Sequence, residues 1–177
     1  MAINEEELLH EIKKPTTAKD LEELLPGINI IMYDDIKKYK SIYHLIGINK
    51  RVIIFYRWAT TSGHWTLLFQ RPDCSIEFFC SYGMMPDEQS KYINDDFWDK
   101  GYLTDMLYKL SQEGVDIHFN KFPFQTVEIP LGTCGQWCIL RYLLGFFTID
   151  DFVKFFETFN YIDKNVICLA LLKIWKS

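Results

Sequence analysis

The sequence predicts an α+β fold in which a central mixed, largely antiparallel sheet packs against a buried helix that starts at Cys134, with further helices around it. Three observations carry this. The runs 51–58, 64–70 and 76–80 are rich in β-branched and aromatic residues and follow one another across short turn-like segments, as in an antiparallel meander. The run 134–147 is almost wholly apolar apart from Gln136 and Arg141, the composition of a helix buried on all sides. Apolar residues on either side of the meander recur at helical spacing, so helices cover the sheet rather than a second sheet.

Taken in order, residues 4–13 and 17–25 predict two short helices, the second opened by Thr17 and stopped by Pro26 and Gly27. Together 1–26 form an N-terminal helical cover. A strand at 28–32 precedes the meander. Thr60, Thr61, Ser62 and Gly63 make a turn before the strand that opens at His64, and Arg71, Pro72 and Asp73 make the next. Ile93, Phe97, Leu103, Met106, Leu107 and Leu110 give a helical period over 93–112, closed by Gly114. A short strand at 115–119 follows. Beyond the long buried helix, 149–159 and 163–175 predict two more, with Asp150, Asp151 and Asp163 in or before their first turns, where the helix dipole favours negative charge. No repeat, linker or low-complexity tract interrupts the chain, so 1–177 is expected to be a single domain.

The chain has 177 residues, 49% of them apolar and 24% charged, with a net charge of −5 and a pI of about 5.4. That balance does not suit broad neutralisation of phosphates. Lys37, Lys38, Lys40, Lys50 and Arg51 form at most a small basic patch, and a solvated face is the plainer reading. No apolar run approaches the ~20 residues that span a bilayer, and Met1 leads into Glu5, Glu6 and Glu7 without an apolar leader. A soluble, intracellular, monomeric protein is expected, without membrane association. Cys74, Cys80, Cys134, Cys138 and Cys168 are odd in number and irregular in spacing, which predicts free thiols.

Two local patterns carry potential chemistry. Cys134 and Gly135 open the buried helix. A thiol there meets the positive end of the helix dipole and unpaired N–H groups, which favour its thiolate and hold an oxyanion, while Gly135 admits a substrate backbone. Gly63 and His64 open a strand, which gives the His64 imidazole a rigid anchor at a sheet edge, with Trp65 packing over the site. His10 falls on an exposed helix, and His44 and His118 fall in apolar surroundings. Read from residue types alone, Cys134 and Cys138 also fit a core role, and the cysteines and histidines a metal site. The absence of Cys-x-x-Cys spacing argues against zinc, and no metal or other cofactor is expected.

The order His64-Trp65, a residue ending the next strand at Cys80, Gln125, then Cys134-Gly135 resembles the adenovirus maturation protease and the ubiquitin-like-protein proteases. The resemblance covers 51–147 as the catalytic core. The phrase Thr-Cys-Gly-Gln-Trp-Cys-Ile-Leu-Arg at 133–141 looks most like the versions carried by large DNA viruses, virophages and related viral transposons. It implies a cysteine endopeptidase with Cys134 as nucleophile and His64 as general base. It implies cleavage of capsid and other virion precursors at Gly-containing sites during particle maturation, in the virion or in the viral factory of the host cytoplasm. A ubiquitin-like-protein isopeptidase, or an inactive relative that binds virion proteins, are the alternatives. The adenovirus relative is activated by a peptide and by DNA, and the sequence locates neither activator.

Two positions depart from the family pattern. Cys80 stands where an acidic residue or Asn is expected, so either a Cys-His dyad operates, or Ser81, Glu77, Asp87 or a backbone carbonyl orients the imidazole; the dyad with weak help from 80–81 is favoured. The family's oxyanion glutamine stands nearer its nucleophile, whereas Gln125 is nine residues before Cys134 and the position six before is Glu128. A carboxylate cannot donate to an oxyanion at neutral pH, so Gln125 is expected to fill the role.

Overall fold

Residues 5–59, 62–89, 101–126, 132–159 and 161–177 are described in the computed structural model of the chain. The meander is present: β2 (Arg51–Arg57), β3 (Gly63–Gln70) and β4 (Ile76–Phe79) pair antiparallel, with Tyr56 opposite His64 and Leu67 opposite Phe79. β1 (Asn29–Met32) joins β2 in parallel and β5 (Ile117–Phe119) joins β4 in parallel, so the sheet runs β1-β2-β3-β4-β5. Antiparallel pairing is therefore confined to the centre. The outer pairs are parallel because helices intervene in each connection, which tight turns could not replace. Between β1 and β2 lie a 3-10 helix (Tyr33–Lys38) and α3 (Ile42–Ile46), neither of which the hydrophobic pattern predicts.

Alternation along the strands gives the sheet two apolar faces. Ile53, Leu67, Phe69 and Phe79 share one core with α5 (Cys134–Leu143), α6 (Ile149–Glu157) and α7 (Lys164–Lys176). Val52, Ile54, Tyr56, Leu68 and Phe78 face the other core with α3 and α4 (Tyr102–Gln112). Phe124, from the connection after β5, lies against Trp137, Phe152 and Phe156 at ring centroid separations of 4.7, 5.2 and 5.6 Å. That cluster fixes the loop that carries Gln125.

The N-terminal cover consists of α1 (Glu5–Glu11) and α2 (Ala18–Leu24). Leu8 and Ile12 pack on Val166 and Leu169 of α7, and Lys173 reaches Glu7 at 3.1 Å and Glu11 at 3.2 Å. A capping box between Thr17 and Asp20 starts α2, as the sequence predicts.

Several boundaries differ from expectation. Described helix α4 starts at Tyr102, after Gly101 in a left-handed conformation (φ +65°). Ile93, Phe97, Thr60, Thr61, Glu128, Pro130 and Leu131 lie outside the described residues. The helix from Cys134 ends at Leu143 rather than running to 147, because Arg141 turns back to donate to the carbonyls of Leu144 and Phe147 at 2.9 Å each. Arg141 also donates to Glu77 at 2.6 and 2.7 Å, and Arg71 to the same carboxylate at 2.6 Å. This buried ion triad ties β4 to α5.

Candidate active site

β4 pairs with β3 only over Leu67–Gln70, so the first half of β3 extends beyond its partner strand. Cys134 comes to that stretch from the mouth of α5. The backbone N–H groups of Trp65, Gly135 and Cys134 itself act on its sulfur, each lowering the pKa of the thiol. The nucleophile of the sequence analysis thus sits beside the backbone of the residue that follows His64. Thr133, the residue before the helix, makes no side-chain cap to it, and so leaves these first N–H groups to the site.

His64 is fully buried in an aromatic enclosure, with Tyr82 stacked at 4.1 Å and Trp58 at 5.8 Å between ring centroids. Its Nε2 meets Cys80 Sγ at 3.4 Å, and its Nδ1 is buried without a hydrogen-bond partner among the described residues. Of the two residues expected at the third position, Cys80 faces the imidazole. Ser81 instead donates its hydroxyl to Gln125 Oε1 at 2.5 Å. Donors surround the Cys80 sulfur: the backbone N–H groups of Tyr82 and Met84, and Gln89 Nε2 at 3.8 Å. A sulfur so placed acts as acceptor, which favours the tautomer with hydrogen on Nε2 and leaves the Nδ1 lone pair to take a proton. Gln89 is itself oriented by Trp58 Nε1, 3.3 Å from its Oε1, and Asn120 Nδ2 holds the Cys80 carbonyl at 2.7 Å. Neither Gln89 nor Asn120 carries a local sequence signal.

Gln125 is buried and bridges the two halves. Its Nε2 donates to Thr133 Oγ1 at 2.7 Å, beside Cys134, while its backbone N–H and Oε1 both bond to Ser81, beside Cys80. Thr133 takes one of the two hydrogens on Nε2.

One expectation needs correction. Gly135 does not open onto free space for a substrate: a Cβ there would meet Thr16 Cγ2 at 2.7 Å and Leu21 Cδ2 at 2.8 Å. Its missing side chain makes room for the N-terminal cover. Trp65 packs against Phe55 at 4.4 Å and donates its indole N–H to the Thr16 carbonyl at 2.9 Å. The same segment pairs with Gly132, which donates to Ile12 O at 2.9 Å and accepts from Thr16 N at 3.1 Å. The Thr16 hydroxyl contacts the Gln136 side-chain amide.

Electrostatics depart from the sequence expectation as well. The N–H groups around Cys134 lower its pKa, but burial outweighs them and pushes the thiol up to about 11. Burial pushes His64 down to about 3. With Cys134 only 7% exposed and His64 at 0%, the resting pair is thiol plus neutral imidazole, not the thiolate that a helix terminus alone would favour.

The other proposed orienting groups are engaged elsewhere. Glu77 belongs to the Arg71–Arg141 triad, and Asp87 accepts from the Tyr33 hydroxyl and from Thr104 N. His44 and His118 are exposed rather than set in apolar surroundings, because each lies on the outer side of a short element. Cys138 is core, and all five cysteines are free. Among the described residues no group of three His, Cys, Asp or Glu is placed to hold a metal, and no helix is long and apolar enough to cross a membrane. The basic residues do not converge: Arg51 stacks on Tyr142 at 4.4 Å and Lys38 pairs with Asp35 at 2.6 Å.

No protein-family model matches the chain, and no solved structure matches it. Among known proteins it is similar to the uncharacterized protein V9 of the Sputnik virophage, with 34% identity over 144 residues that make up 78% of this chain and 81% of that protein. The chain belongs to the same family as that virophage protein.

Proposed function

We propose that the protein is a cysteine endopeptidase of the adenovirus-protease and ubiquitin-like-protein-protease type, acting on capsid and other virion precursors at Gly-containing bonds during particle maturation. One observation carries the reading: among the described residues His64 is held by Cys80 at Nε2 and has no partner at Nδ1, while Cys134 lies at a helix mouth against the N–H of Trp65. The relationship to a virophage protein supports a viral setting, and the virion substrate and the particle or viral factory as its place follow from the resemblance carried by residues 133–141.

In the reaction His64 Nδ1 takes the Cys134 proton as the sulfur attacks the scissile carbonyl carbon. Proton transfer accompanies attack, because neither group is charged at rest. The oxyanion is held by the backbone N–H of Cys134 and the second Nε2 hydrogen of Gln125. The imidazolium then returns its proton to the leaving amine, and the C–N bond breaks. Water attacks the thioester with His64 again as base, which releases the acid and restores the thiol. Cys80 accepts from Nε2–H throughout and stabilises the cation less than a carboxylate would.

The enclosure of both reacting groups favours a second reading, a catalytically silent relative that binds virion proteins. Incubating the purified chain with virion structural-protein precursors separates the two. The peptidase reading expects new termini next to glycine, absent with Cys134→Ala. Binding without cleavage supports the silent reading, and cleavage confined to ubiquitin-like conjugates makes the protein an isopeptidase instead.

A further inference from the structure

Five buried polar residues, Trp137, Asn165, Thr133, Gln125 and Ser81, form with the exposed Asp163 a single directed chain behind Cys134. Trp137 Nε1 can only donate, and it donates to Asn165 Oδ1 at 2.9 Å. Asp163 Oδ1 takes the Asn165 backbone N–H at 2.8 Å and accepts from Asn165 Nδ2 at 2.9 Å. These two partners fix which end of the Asn165 amide is which. Asn165 Oδ1 therefore accepts the Thr133 hydroxyl hydrogen, at 2.8 Å. With its one hydrogen committed, Thr133 Oγ1 has only lone pairs to offer Gln125, so the NH2 end of Gln125 must face it, at 2.7 Å. The carbonyl end of Gln125 then turns to the Ser81 hydroxyl.

We propose that Asn165 of α7, locked by Trp137 and Asp163, is a positioning residue that sets the polarity of the Gln125 amide, so that Nε2–H rather than Oε1 faces the mouth of α5. This rests on the peptidase reading, in which Gln125 stabilises the oxyanion. An amide side chain is nearly symmetric in shape, and packing alone does not choose between its two orientations. Turned over, it would present a carbonyl oxygen to a developing negative charge. Asn165 is 4% exposed and Thr133 0%, and buried polar groups of this kind are costly unless all are satisfied, which this chain achieves in one direction only. Without the Asn165 acceptor, the Thr133 hydroxyl donates to Gln125 Oε1, and Ser81 Oγ receives the NH2 end.

The test uses a reversible peptide aldehyde and iodoacetamide on the full chain. Cys134 sulfur adds to the aldehyde carbon and its proton ends on the hemithioacetal oxygen, which occupies the oxyanion position. Alkylation by iodoacetamide forms a C–S bond as the S–H and C–I bonds break, with loss of the thiol proton and iodide, and develops no oxyanion. Asn165→Leu and Thr133→Val are expected to weaken aldehyde binding about 100-fold, the scale of losing one oxyanion donor, and to leave alkylation of Cys134 unchanged. Thr133→Ser, which keeps the hydroxyl, is expected to retain the wild-type affinity. The Thr133 pair decides the matter even if Asn165→Leu does not fold. Equal aldehyde affinity in wild type and Thr133→Val, or equal loss in Thr133→Val and Thr133→Ser, overturns the inference and leaves the peptidase reading intact. A wild-type protein whose Cys134 takes no aldehyde overturns both.

Discussion

The imidazole half and the thiol half of the site are held by opposite means. His64 is gripped by ring faces, Tyr82 and Trp58, with a single soft acceptor at Cys80. Cys134 is gripped by polarity: backbone N–H groups at the sulfur, the Gln125–Thr133–Asn165 chain behind it, and the pairing of Gly132 with Ile12 and Thr16 in front. Aromatic enclosure fixes where a ring sits, and the burial that comes with it keeps the imidazole neutral. A polar surround fixes the direction of each hydrogen, yet here it does not overcome the desolvation of the sulfur. The enclosure sets the charge state of both groups, and the hydrogen bonds set their orientation.

The largest effect expected is loss of the reaction when either half is removed. Under the proposed peptidase reaction, Cys134→Ala and His64→Ala should each lower kcat by roughly 10⁶-fold and by similar amounts, as for catalytic groups that act as one unit. Rates on a virion precursor peptide check this, and a large residual rate in His64→Ala would detach the imidazole half from catalysis. Next comes the tie between the halves. Glu77→Ala leaves Arg71 and Arg141 buried without their carboxylate, and is expected to cost about 3–5 kcal/mol in denaturant unfolding. Cys80→Asp gives the imidazole half the charge it lacks, set among the Tyr82 and Met84 N–H groups and Gln89. It should raise kcat at least about tenfold and move the acid limb of the pH–rate profile upward, because an adjacent carboxylate favours the imidazolium. A smaller effect, about 1 kcal/mol of stability lost, is expected for Thr16→Val, which removes a hydroxyl bond to the Gly132 carbonyl at 2.5 Å.

Stability should also follow pH through the enclosed histidine. The folded pKa of His64 is near 3 and its unfolded value near 6.5, so the unfolded chain binds the extra proton first. The stabilisation is fully present above about pH 6.5 and is lost progressively as pH falls toward 3. Melting curves at intervals across that window check it, with His64→Gln flattening the His64 share of the slope.

Much of the frame was legible in the sequence because it depends on local patterning. The β-branched and aromatic runs at 51–58, 64–70 and 76–80 yield β2, β3 and β4, and the apolar run from Cys134 yields α5. Thr17 opens α2 by a short-range bond, and Asp150, Asp151 and Asp163 stand at the helix starts where the dipole favours them. What stayed hidden depends on contacts between distant segments. Nothing near Gly135 in the chain announces that Thr16 and Leu21 fill the space its missing side chain leaves. Nothing near Glu77 announces two arginine partners. Ser81, Gln125, Thr133 and Asn165 are ordinary polar residues until the fold lines them up, and the thiol's pKa follows its burial rather than its helix position. The 3-10 helix at Tyr33–Lys38 and the five-residue α3 are too short to establish a period.

The most direct test is the rate at which each cysteine reacts with a peptide-like thiol electrophile, read by mass spectrometry. Cys74 is exposed and serves as the ordinary thiol within the same molecule. If Cys134 is the nucleophile and His64 its base, the buried Cys134 is modified ahead of the exposed Cys74, and His64→Ala removes that advantage. Labelling led by Cys74, unchanged in His64→Ala, would contradict the account.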